Sequence, residues 1–444
     1  MAGGKFDKLA GKVRPGTYIN FESTRKDTVG ISERGIVLIP LIGHTYGPEK
    51  EFITITNAAP DGAFAKLGYS IYDDDAQMLL IREAFKLAAK VIVYVPKVGL
   101  KAKGTGGGVV GTAAYGGSRG NSLKYTITAN PVSGFDVSVY LGESLAISYE
   151  AVLTTAELVA KKCEYITFSA DAANPMSAVA GVSLAGGTDV VATNSDITAF
   201  LDAMESVKFN TLAFPSIEST LQTACKTKIK YLRENVGKGV KAAIPDFTAN
   251  YEGIINVTNS VALDGKELTH AQACAWVAGA DAAARNTQSN TYLSYEGATA
   301  IVDAKTHEEA VAAIQNGEFF FSYSEAGAVV VEYDINSLTT FSGGKDKTYS
   351  KNRVLRVFDT FGESVQLNFP PNKYDNSPDG WDIMEGIGHT ILKQFYEAGA
   401  IKNVDYDTDF TVDRGKSTGD ETYFNVAIEP VDSAEKLYFT VSTR

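Results

Sequence analysis

Cysteine is scarce in this chain of 444 residues: Cys163, Cys225 and Cys274 are odd in number and widely spaced, which excludes a disulfide framework and points to buried thiols in a reducing compartment. Histidine is nearly as rare. None of His44, His270, His307 and His389 sits in an H-x-x-x-H pattern or beside a cysteine pair, so a zinc site has no support and no metal is expected. Long apolar runs are missing too. The strongest, residues 91–95, falls far short of the ~18 residues that cross a bilayer, so direct membrane insertion is not expected. Positive charge is short: 41 Lys and Arg stand against 53 Asp and Glu, a net charge of −12, with no basic stripe. Nucleic acid is therefore not an expected partner. The first fifteen residues lack the apolar core of a secretory leader, interrupted as they are by Asp7, Lys8 and Lys12, and the chain is expected to stay in the cytoplasm where it is made.

What is present suits a large folded protein. Hydrophobic residues make up 44% and charged residues 21%, ordinary values for globular chains, and the length suggests about three domains. After an N-terminal arm (1–30) whose Tyr18, Ile19 and Phe21 suit a short strand, residues 31–97 read as a small α/β domain with a helix over 74–89 before an apolar strand at 91–95. Residues 98–164 read as a β-rich insert with a loose, glycine-rich lead over 99–120. Strands and helices then alternate through 165–345, which predicts a central layered α/β domain. Thr269 with Gln272, and Thr306 with Glu309, form capping boxes that open two of its helices. The remainder, 346–444, reads as a C-terminal α+β domain with helices near 351–361 and 381–398 and strands at 424–428 and 437–442. In the last run Leu437, Phe439 and Val441 face one way while Tyr438, Thr440 and Ser442 face the other. A chain end of this kind must pair within its own fold or with a neighbour.

Catalytic strings are present only as strings. Gly106-x-Gly108-x-x-Gly111 follows a strand, yet no helix N-terminus begins inside the glycines to hold a pyrophosphate, and the segment reads as a flexible loop. Gly116-Gly117-Ser118-Arg119-Gly120 matches G-x-S-x-G without the strand-to-helix setting a nucleophile elbow needs. Gly343-Gly344-Lys345 lacks the upstream glycine of a phosphate loop. Asp73-Asp74-Asp75 and His307-Glu308-Glu309 open helices, where such residues cap or complement the dipole. Neither a catalytic residue nor a cofactor is expected. A hydrolase built on the central domain and a capsid-type particle subunit remain the alternatives.

Five segments together resemble the tail sheath proteins of contractile phage tails and phage-tail-like particles, including headless bacteriocins. They are residues 113–123 (Ala113-Ala114-Tyr115-Gly116 onward), Leu184-Ala185-Gly186-Gly187-Thr188-Asp189, Asn210-Thr211-Leu212-Ala213-Phe214-Pro215, Ala275-Trp276-Val277-Ala278-Gly279-Ala280-Asp281, and Arg353-Val354-Leu355-Arg356-Val357-Phe358-Asp359. The resemblance implies that the insert over 98–164 is a β-sandwich, and that the chain is a structural subunit that stacks as six-fold rings, helically, around a tail tube, and contracts to drive the tube through a cell envelope. It implies as partners other copies of the chain, the tube protein, and baseplate and tail-terminator proteins. Arm strands exchanged between subunits would be carried here by Tyr18, Ile19 and Phe21 and by Leu437, Tyr438, Phe439 and Val441. The helix at 381–398 would face the tube through Lys393, Gln394 and Glu397. Assembly would take place in the bacterial host cytoplasm.

Overall fold

The structure, a computed structural model, describes residues 34–172 and 174–443. Tyr18, Ile19 and Phe21 lie outside the described residues. The first unit runs β1 (Ile36–Pro40), β2 (Phe52–Thr56), the single turn α1 (Phe64–Leu67), α2 (Ala76–Phe85) and β3 (Lys90–Tyr94). Asp75 caps α2, its carboxylate accepting from the amides of Gln77 and Met78, so the aspartate run does the capping work expected of it.

The β-sandwich holds β4 (Lys101–Gly106), β5 (Val109–Gly116), β6 (Leu123–Ala129), β7 (Phe135–Leu141), β8 (Ser144–Val152), α3 (Thr155–Ala160), β9 (Ile166–Ala170) and β10 (Val179–Ser183). One sheet is ordered β4-β5-β9, the other β10-β6-β7-β8, and Val109, Tyr125, Val137, Val139 and Phe168 fill the space between them. Two expectations are corrected. The insert does not end at 164, because β9 and β10 pair with β5 and β6 and close both sheets; the strand at 165–169 belongs here and does not open the central domain. Nor is 99–120 a loose loop: β4 and β5 form a paired hairpin turning at Gly107 and Gly108. Glycine serves close approach here. At Gly108, with φ of +76°, a Cβ would stand 2.1 Å from the carbonyl oxygen of Pro175.

The central region continues with α4 (Asn194–Ala203), β11 (Thr211–Ala213), α5 (Ser219–Tyr231), β12 (Lys241–Pro245), β13 (Ile254–Val257), β14 (Ser260–Leu263), β15 (Lys266–Glu267), α6 (His270–Ala283), β16 (Ala298–Val302), α7 (His307–Gln315), β17 (Glu318–Phe319), β18 (Phe321–Tyr323) and β19 (Val329–Val331). Both capping boxes form as the sequence predicts. The large sheet is ordered β17-β13-β12-β11-β1-β3-β2 and is parallel except at β2. Its make-up corrects the division at 97, since β1 pairs with both β3 and β11 and residues 34–94 therefore share one sheet with the central strands. Burial on both faces explains why β1 reads as a continuous apolar run. Val37 and Ile39 pack toward α2 and α6, whereas Leu38 packs with Leu212 and Phe200 on the α4 and α5 side. α6 is apolar almost all round and lies against α2 so closely that a Cβ at Gly279 would meet the Ala84 carbonyl oxygen at 2.7 Å.

The C-terminal region carries α8 (Asn352–Asn368), α9 (Pro378–Glu397), β20 (Ile401–Lys402), β21 (Phe410–Val412), β22 (Phe424–Val426) and β23 (Glu429–Pro430). Ser377 caps α9 and Pro378 takes its first turn, where a missing N–H costs nothing. Val357, Phe361, Ile391, Phe395 and Phe410 form a separate small core. Residues 431–443 take neither helix nor strand, so the strand expected at 437–442 is not formed within the single chain. Among the described residues no backbone pairs with it.

Candidate assembly surfaces

The end of the chain is apolar and bare. Leu437 is 66% exposed, Tyr438 90%, Phe439 83% and Val441 88%. Both faces of the alternating segment meet solvent, although burying each large side chain would contribute about 1.5–3 kcal/mol. The preceding strap is anchored. Glu435 accepts hydrogen bonds from the hydroxyls of Ser289 and Thr291, each at 2.8 Å, and pairs with the Lys351 ammonium; Asp432 lies 3.3 Å from that ammonium, and Arg353 donates to the Ser433 hydroxyl.

On α9 the apolar side, Met384, Ile391, Leu392 and Phe395, faces the small core. Lys393 and Glu397 stand on the opposite, exposed side, 3.7 Å apart, with Ile383 and Tyr396 also exposed there; Gln394 is half-buried at the edge. The structure thus puts Lys393 and Glu397 on one outward face and Gln394 between the two faces.

A third feature has no counterpart among the sequence expectations. Arg356 and Lys241 are fully buried, and both reach the Asp281 carboxylate, Arg356 at 2.6 Å. Thr211 donates to its other oxygen at 2.7 Å. Arg356 also donates to Asp334 at 2.7 Å and to the Gln288 carbonyl at 2.8 Å, while Asn352 donates to Asp334 at 3.0 Å. Burial opposes ionisation of Asp281, but Lys241 and Arg356 outweigh it and hold the carboxyl well below the usual carboxylate range. The same two carboxylates raise Arg356 despite its burial. Beside this cluster Arg233 forks onto Asp359 at 2.8 and 3.0 Å. Thr211, Asp281, Arg356 and Asp359 come from three of the five segments that carry the family resemblance. A charge inside the apolar α6 was the signal available in sequence; its partners, 40 to 75 residues away, were not.

The other two segments meet as well. Asp189 accepts from the Ser118 amide at 2.8 Å, the Ser118 hydroxyl at 2.6 Å and the Thr45 hydroxyl at 2.7 Å, tying the sandwich to the loop after β1. Burial works against its ionisation, yet these donors keep the carboxyl below its ordinary value. Ser118 opens a short 3-10 turn (Ser118–Ser122) directly after β5, so a strand precedes it where a glycine loop was expected, and its hydroxyl is bound to Asp189. His44 is buried, with Nε2 at 3.1 Å from the Leu67 carbonyl oxygen. No helix among the described residues is long and apolar enough to cross a membrane.

The described residues thus form a multi-domain α/β chain whose apolar, alternating segment at 437–441 stays exposed. Family models identify the kind of chain that carries this fold. The phage tail sheath protein beta-sandwich domain matches residues 88–189, the phage tail sheath protein central domain 191–337, and the phage tail sheath C-terminal domain 344–444; the tail sheath protein Gp18 domain III N-terminal region matches 34–94. The chain is 36% identical to the phage-like element PBSX protein XkdK of Bacillus subtilis over 99% of both chains. It superposes on the crystal structure of the sheath tail protein of Desulfitobacterium hafniense with a TM-score of 0.81 at 37% identity, covering 96% of this chain and 99% of that one. The helical sheath of the anti-feeding prophage in its contracted state shares the fold, with a TM-score of 0.57 at 12% identity over 98% of this chain and 100% of that one. The chain belongs to the phage tail sheath protein family.

Proposed function

We propose that this chain is the structural subunit of a contractile tail sheath, stacking as six-fold rings around a tail tube and contracting to drive that tube through the envelope of a target cell. The observation that carries the reading is the bare, alternating end at 437–441, which leaves an otherwise completed fold. Such a segment gains its ladder and its apolar contacts by adding to a neighbour's sheet. One backbone hydrogen bond is worth only ~1 kcal/mol net, but the gain repeats at every lattice contact. Tyr18, Ile19 and Phe21 form the second arm strand of the mesh. Lys393 and Glu397 on the outer side of α9, with Gln394 at its edge, face the tube. Rigid-body rotation of subunits between two packings supplies the stroke, with the energy difference set at assembly and no cofactor used. The partners are other copies, the tube protein, and baseplate and tail-terminator proteins; assembly occurs in the host cytoplasm before the sheath joins a virion or tail-like particle.

Electron microscopy of the purified protein at concentrations that permit polymerisation tests this reading. Striated hollow tubes are the expected result, and removal of residues 437–444 should abolish them while thermal unfolding of the folded domains stays unchanged. Closed shells would indicate a capsid-type particle. Tube formation undiminished by the truncation would refute the arm model.

A further inference from the structure

We propose that Glu435 is the positioning residue of the C-terminal arm, an anchor that fixes where the arm leaves the subunit and passes its load into the buried charge cluster. The inference rests on the arm reading above. Glu435 stands two positions before Leu437, and its side chain is only 9% exposed. Three donors from two separate elements converge on that one carboxylate: the Ser289 and Thr291 hydroxyls of the segment after α6, and the Lys351 ammonium at the start of α8. An exposed tail that served only as a tether would have no use for a desolvated carboxylate. Desolvating it carries a cost that these donors must offset.

The elements it grips lead inward. Lys351 and Arg353, at the start of α8, hold the strap through Glu435, Asp432 and Ser433. Asn352 and Arg356, interleaved with them on the same helix, hold Asp334 and Asp281 in the interior. One helix end therefore joins the arm's root to the large sheet through Asp281 and Lys241. A pull on the arm acts on the charge cluster before it reaches the small C-terminal core.

Geometry sets the size of the effect. With the anchor in place the arm swings from Glu435 on about two residues. Without it the last fastening is Ser433, whose hydroxyl accepts from Arg353, and the free run grows to about four residues. A flexible segment reaches about 5–6 Å times the square root of its length, so the volume searched by the arm grows roughly three-fold and its effective concentration at a neighbour falls by the same factor.

The test uses the full chain. Glu435→Gln should raise the critical concentration for tube growth about three-fold, and the reversal Lys351→Glu combined with Glu435→Lys should recover most of it. In unpolymerised protein Glu435→Gln should speed amide hydrogen exchange across 434–436 and leave the interior of α8 unchanged. A critical concentration within two-fold of wild type, or strap exchange unaffected by the substitution, overturns the anchor. If truncation at 437 also leaves tube formation intact, the arm reading itself has failed; if truncation abolishes tubes while Glu435→Gln does nothing, only the anchor has.

Discussion

Around Asp281 the chain places charge where there is no water, and at 437–441 it places apolar surface where water is abundant. The first arrangement is satisfied within one chain. Arg356 and Lys241 are wholly buried, yet their partners arrive from α6 and from the segment carrying Asp334. The second is left unsatisfied, with Phe439 83% exposed and no strand formed. On the proposed arm reading, the contrast separates what must be rigid before assembly from what assembly itself completes. An interior fixed by charge pairs loses stability steeply if one partner goes, which suits a frame that moves as a unit; an exposed strand costs the monomer little and gains its contacts only from a neighbour.

The sharpest way to break the comparison is Asp281→Ala. Lys241 and Arg356 would be left buried without their shared carboxylate, and the loss of folding stability should be about 3–5 kcal/mol by urea unfolding. A loss under about 1 kcal/mol would mean that water reaches the cluster and that the interior is no rigid frame. The same carboxyl makes a pH prediction. Because its folded pKa lies below that of an unfolded aspartate, its contribution is present above about pH 4 and disappears as pH falls through the folded value. Acid should therefore loosen the junction of α6 with α8. The arm gives the opposite result: Phe439→Asp should change monomer stability by less than about 0.5 kcal/mol, since the ring touches little, while sharply reducing polymer seen by sedimentation. A large fall in the monomer's unfolding midpoint would show that the arm packs on its own subunit.

Legibility in sequence follows the range of the interactions. Thr269 with Gln272 and Thr306 with Glu309 are pairs three residues apart, and both boxes form as expected. The insert was legible as β-rich from its alternating strands β6 and β7, but its glycine-rich strands were not, because the reason for Gly108 is the backbone at Pro175, far along the chain. The separate N-terminal domain was misjudged for the same cause: nothing local in β1 says that β11 is its other neighbour. Of the surfaces, the alternating pattern at 437–441 was legible, and its partner, on the proposed arm reading a second molecule, was not. The Asp281 cluster was visible only as an oddity, an acid in an alanine-rich helix.

The smallest effect concerns the other end of α6, where His270 stands between two aspartates that reach it from different elements. Asp246, just after β12, lies 2.8 Å from Nδ1, and Asp303, just after β16, lies 3.1 Å from Nε2. Both aspartates hold left-handed backbone conformations, with φ of 48° and 58°. The hydrogen bond with Asp246 does most to favour the protonated ring, burial opposes it, and Asp303 adds to the attraction, so the imidazole pKa is raised above its ordinary 6.5. A raised folded pKa fixes the sign: the contribution is fully present below about pH 6.5 and is lost as pH climbs through the folded value. Since the carboxylates are 53% and 71% exposed, water screens the pair and the effect should stay under about 1 kcal/mol. His270→Gln should therefore flatten a small decline in unfolding midpoint between pH 6 and pH 8.5 and leave the response to acid, to which Asp281 and Asp189 contribute, in place. If the substitution removed the acid response instead, the two ends of α6 would be coupled, and the charge cluster would extend along the whole helix instead of being confined to its junction with α8.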